Sequence, residues 1–93
     1  MRKKIWKYPI KLGPQTIDMP KGSVIRHFAL QNDIPTLWVE VDSSAELVPR
    51  NFIIVGTGHT FENTSLTYIG TVVGHEGVFV WHLFQEGGEH GGD

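Results

Sequence analysis

Turn-forming residues interrupt this chain so often that little room is left for helix: Gly13-Pro14, Pro20-Lys21-Gly22, Asn32-Asp33, Gly56-Thr57-Gly58 and Gly74-His75-Glu76-Gly77 cut it into short apolar segments. The segments between them alternate apolar and polar residues, or run apolar and β-branched. That cadence is the signature of an all-β domain, because alternation with a period of two places one side of each strand on a core. The expectation is a compact small barrel or sandwich of about six or seven strands, all-β or mainly β with one short helix.

The segments can be placed one by one. Lys4 to Leu12 sets Trp6, Tyr8, Ile10 and Leu12 against lysines, and Pro9, which lacks an N–H, marks it as an edge or bulged strand. Gly13-Pro14 reads as a turn and Gln15 to Met19 as a second strand, giving a hairpin. Ser23 to Gln31 carries apolar residues on both faces and reads as a central strand, paired through the Asn32-Asp33 turn with Thr36 to Val41. In the latter, Leu37, Val39 and Val41 share one face and Trp38 and Glu40 the other. Residues 42–49 admit one short helical turn or a loop. Phe52 to Val55 reads as a strand buried on both sides, and Leu66–Val73 with Val78–Phe84 as a hairpin closed by Gly74 to Gly77.

With 93 residues the chain has room for one thin core, so residues 1–86 are read as a single β domain and the Gly-rich residues 87–93 as a disordered tail. A chain this small gains from self-association, and a homo-oligomer is expected. It has no cysteine, which rules out disulfides and thiolate metal sites and suits a reducing cytoplasm. No apolar run approaches the roughly 20 residues of a membrane span, and the basic start is followed by no apolar signal-peptide core. The expected location is the cytoplasm, with no membrane partner. The net charge of −2 is unevenly spread: residues 1–26 hold seven Lys/Arg and one acid, and residues 27–93 one Arg and nine acids. A basic segment folded against an acidic remainder is a poor nucleic-acid binder, so that partner is not expected.

Few residue patterns point to chemistry. Gly56-Thr57-Gly58-His59 follows a buried strand, and two glycines can turn backbone N–H groups toward an anion, with Thr57 and His59 adding donors. The same four residues also read as a tight turn or bulge that needs glycine. His27, His59, His75 and His82 show no metal-ligand spacing, so neither a metal nor a cofactor is expected. No nucleophile elbow or triad segment occurs, and an enzyme would have to use His59 as base, oriented by Glu62 or Asp42. Trp6, Trp38, Trp81, Tyr8, Tyr68, Phe28, Phe61 and Phe79 are many rings for a thin core, which places some of them at a pocket or contact. A ring beside Arg26 or Arg50 would pair base stacking with phosphate binding.

Taken together, Ile5-Trp6-Lys7-Tyr8-Pro9-Ile10, the Gly56-Thr57-Gly58-His59 loop, Tyr68-Ile69-Gly70-Thr71 and Phe79-Val80-Trp81-His82-Leu83-Phe84 resemble a family of small phage and prophage proteins, largely of unknown function. The resemblance extends to about Glu86 and carries no catalytic residues with it. It implies a phage-encoded protein acting in the host cytoplasm. Small phage proteins include binders of the nucleotide signals of bacterial immunity, and this context makes sequestration of such a signal the leading expectation. Arg26, Arg50 and Gly56 to His59 would hold phosphates while Trp38 or Trp81 stacks a base. The alternatives are a protein-interaction module that inhibits a host or phage protein, and a small nucleotide-cleaving enzyme.

Overall fold

The computed structural model describes residues 2–63 and 65–87. It contains seven strands, β1 (Lys4–Pro9), β2 (Gly13–Pro20), β3 (Val24–Gln31), β4 (Ile34–Val41), β5 (Leu47–Gly56), β6 (Leu66–Gly74) and β7 (Phe79–Glu86), and one 3-10 turn at His75–Gly77. They make two antiparallel sheets, ordered β1-β4-β3 and β2-β5-β7-β6. The sheets pack as a sandwich, so the expected all-β class and strand number hold. Among the described residues no helix is long and apolar enough to cross a membrane.

Strand parity builds the core. Leu37, Val39 and Val41 of β4 are fully buried, as their alternation requires, and their cross-strand partners Tyr8 and Trp6 of β1 and Phe28 and Ile25 of β3 share that face. From the other sheet come Met19, Phe52, Ile54 and Leu83. Trp38 and Glu40 point the opposite way, onto the outer face of the three-stranded sheet.

Several expectations need correction. β1 and β2 do not form a hairpin: β1 pairs with β4 and β2 with β5, so the chain changes sheets between Pro9 and Gly13. Gly13-Pro14 opens β2 instead of forming a separate turn, which Pro14 can do because β2 is an edge strand. β3 is an edge strand, not a central one; β4 takes the central place between β1 and β3. Of the two readings for residues 42–49, the loop holds over 42–46, where Asp42 Oδ1 accepts from Ser44 N–H (3.0 Å) and from its hydroxyl (2.7 Å) in an Asx turn, while residues 47–49 already belong to β5. The β3–β4 and β6–β7 hairpins form as read. Of the tail read as disordered, only Gly87 lies within the described residues, with its N–H on Ser65 O at 2.9 Å.

β5 and β6 both pair with β7, β5 ending beside Trp81 and β6 beginning beside Glu86, so the connection between them runs the length of β7. Phe61 packs on the outward ring of Phe84 during that crossing, at 5.1 Å between ring centres. This crossover begins at the Gly-rich loop and sets the position of the site below.

Candidate functional site

The end of β5, the start of β7 and the segment before β2 enclose a cavity of about 500 Å³ at one end of the sandwich. Trp81 and Phe79, two residues apart on β7 and therefore on one face, stack at 5.1 Å between ring centres and 30° between planes. Leu12 and Val78 extend this apolar wall, while Thr57 and His59 give the cavity its polar side.

The Gly-rich loop is a tight turn. Gly56 O accepts from His59 N–H at 3.0 Å, and Gly58 has φ +88°, the conformation such a turn asks of its third residue. The His59 ring lies over Gly56, where a β-carbon would come within 3.0 Å of the imidazole. Thr57 N–H donates to Val80 O at 3.1 Å. Two of the amides that an anion nest would use, those of Thr57 and His59, are thus spent inside the protein. The Thr57 hydroxyl is engaged as well, within 3.3 Å of Val80 O and 2.7 Å of His82 Nε2, so the polar group the loop leaves on the cavity lining is the His59 imidazole.

Behind Thr57 runs a chain of hydroxyl and imidazole groups. Thr57 Oγ1 lies 2.7 Å from His82 Nε2, and His82 Nδ1 lies 2.9 Å from Thr71 Oγ1. Thr71 Oγ1 in turn meets the Tyr68 hydroxyl. His82 and Thr71 are direct cross-strand partners on the outer face of the four-stranded sheet. The hairpin read from sequence, closed by Gly74 to Gly77, would set Val73 opposite Val78 and Thr71 opposite Val80; the observed register begins with Gly74 opposite Phe79 and so brings Thr71 to His82, while the bond to Thr57 needs the tertiary fold and has no sequence signal. Phe79 was legible, as the residue two positions before Trp81.

The eight residues singled out from sequence fall in three places. Gly56, Thr57, His59 and Trp81 line the end cavity, with Gly58 in its turn. Arg26 and Trp38 lie on the outer face of the three-stranded sheet, Arg26 bound to Glu40 at 2.8 Å and Trp38 with the His27 ring at 5.7 Å. Arg50 is interior: it shares a strand face with Phe52 and Ile54, and donates from Nη1 to Ser23 O and from Nη2 to Gln85 Oε1, each at 2.6 Å. Burial lowers the Arg50 pKa, against a smaller opposing influence from Tyr8. The geometry therefore does not gather both arginines around the loop. Among the described residues, no three His, Asp or Glu side chains come together as a metal site.

No curated protein and no solved structure matches the chain. A family model does match it, over residues 1–91, and the chain belongs to that family, the domain of unknown function DUF7352.

Proposed function

We propose that this chain is a binding module that holds a small molecule with a flat ring in the end cavity, without transforming it. The observation that carries the reading is the Trp81–Phe79 stack, which lines a space of about 500 Å³ together with Thr57 and His59. That volume lies within the usual range for small-molecule pockets, and aromatic walls with a few polar groups are what such pockets consist of. Stacking on an aromatic wall suits a nucleobase. In the phage context implied by the sequence resemblance, the ligand would be a nucleotide-derived signal of the host and the effect sequestration, which requires affinity and abundance alone.

The test is a tryptophan-fluorescence and calorimetric titration with adenosine, AMP and a cyclic dinucleotide, followed by mass analysis of the recovered ligand. Saturable binding of at least one probe, its mass unchanged, is expected. Trp81→Ala should weaken it about tenfold or more, since base stacking contributes roughly 1–3 kcal/mol. No heat and no quenching with any of the three would overturn the reading, and an altered mass would replace it with an enzyme.

A second reading, a protein-interaction module, draws on the tip of the β6–β7 hairpin. Val73 is 61 %, Val78 69 % and Phe79 40 % exposed there, more apolar surface than a hairpin tip needs. A protein partner would cover the mouth of the same cavity.

A further inference from the structure

Edge strands β3 and β6 run beside each other where the two sheets meet, and each carries a bulge at that seam. β3 gains an extra residue at Arg26, between Ile25 opposite Val39 and His27 opposite Trp38. β6 gains one at Ile69, between Tyr68 opposite Phe84 and Gly70 opposite Leu83. A bulge leaves one residue outside the ladder and re-aims its side chain. Both extra residues line a cavity of about 260 Å³, walled also by His27, Phe28, Gly70 and Thr71. Gly70 has no side chain to fill the space, and Phe28 packs against the position a β-carbon would occupy, 3.5 Å away.

We propose that this seam is a phosphate-binding site, in which Arg26, His27 and Thr71 take a phosphate dianion, free or as a monoester. The Nε–Nη2 edge of Arg26 is held by Glu40 Oε1, at 2.9 and 2.8 Å, while Nη1 has no protein partner among the described residues. A guanidinium fixed along one edge keeps its remaining donors for a second acceptor, and phosphate matches that fork. Thr71 can contribute a donor as well. If the single Thr57 proton goes to His82 Nε2 at 2.7 Å and not to the more distant Val80 O at 3.3 Å, then His82 Nδ1–H and the Tyr68 hydroxyl can both donate to Thr71 Oγ1, which leaves the Thr71 proton for the anion. His27 supplies an imidazole on the same wall, and its ring contact with Trp38 places an aromatic surface beside the site. Glu40 opposes the anion through its charge but orients Arg26, and these two roles can be separated by substitution.

The experiment is a two-dimensional 1H–15N titration of the full chain with inorganic phosphate, matched at constant ionic strength by chloride, and repeated with AMP. Expected are saturable shifts centred on the amides of Arg26–Phe28 and Ile69–Thr71. Arg26→Gln should weaken binding about tenfold, the loss of charge-assisted bonds. Glu40→Gln, which keeps an acceptor for Arg26 and removes the repulsion, should strengthen it severalfold. Spectral dispersion reports that each variant is folded. A phosphate monoester as the natural ligand would show as tighter AMP binding with an added shift of the Trp38 indole N–H; equal affinity for phosphate and AMP would indicate the free anion. Shifts reproduced by chloride, or binding unaltered in Arg26→Gln, would overturn the proposal. Thr57 is joined to Thr71 through His82, so the end cavity is followed instead by the Phe79 amide and the Trp81 indole N–H, whose side chains lie outside that chain, and the two sites are told apart by them.

Discussion

Arg50 illustrates how a side chain's role is set by the face its strand presents. It shares parity with Phe52 and Ile54, so its guanidinium must enter the sandwich, where it ties Ser23 O to Gln85. Its Nε finds no partner, and its charge has no carboxylate within salt-bridge reach among the described residues. Planarity and two-ended donation keep it there, which a lysine cannot reproduce. Arg50→Lys is therefore expected to lower stability by about 1–3 kcal/mol in urea unfolding, because one buried acceptor loses its donor. Ligand titrations at the end cavity and at the β3–β6 seam should be unchanged in the variant. An unchanged unfolding midpoint would show that the shorter ammonium side chain spans both acceptors or that they are satisfied otherwise. The parity that places Arg50 inside was readable in the sequence, but the chemical appeal of an arginine near a Gly-rich loop pointed elsewhere. The loop itself was legible as a turn, since Gly58 occupies a positive-φ position that most side chains resist.

Hairpins joined by short turns were legible because the turn and both strands lie in one stretch of sequence. Asn32 and Asp33 have φ of 51° and 64°, the paired positive values of a two-residue turn whose twist matches its strands. Glycine takes such a φ with less strain than aspartate, so Asp33→Gly is expected to stabilise the protein by about 0.5–1 kcal/mol. Thermal unfolding should register this as a rise of a few degrees for a domain of this size; a fall would mean that Asp33 makes contacts the backbone preference does not outweigh. Pairings between distant segments left no comparable trace. Nothing in residues 4–20 distinguishes a β1–β2 hairpin from two strands that part to opposite sheets, because both arrangements bury the same alternate residues. The β5-to-β6 crossover was equally hidden, and with it the approach of Thr57 to His82. The seam is a matter of partners too: the bulges at Arg26 and Ile69 are defined only by the residues opposite them.

Across the whole molecule, the two sheets bring Tyr8 of β1 and Arg50 of β5 toward each other from opposite sides of the core. Burial raises the Tyr8 pKa, and the attraction of Arg50 for a phenolate offsets only part of the effect. The consequence for stability has a definite sign. A phenol whose pKa is higher in the folded state than in the unfolded chain contributes fully below the unfolded value, about 10, and loses that contribution as pH rises through the folded value. The protein should therefore lose stability above about pH 10. Tyr8→Phe isolates this share, since the two proteins differ in the phenolic hydroxyl alone. Urea unfolding of the pair at pH 8 and pH 11 should show the wild type falling further than the variant over that interval. A parallel fall would mean that Tyr8 ionises as readily between the sheets as in the unfolded chain, and that the interior around Arg50 is wetter than the packing of Leu37, Val39 and Phe52 implies.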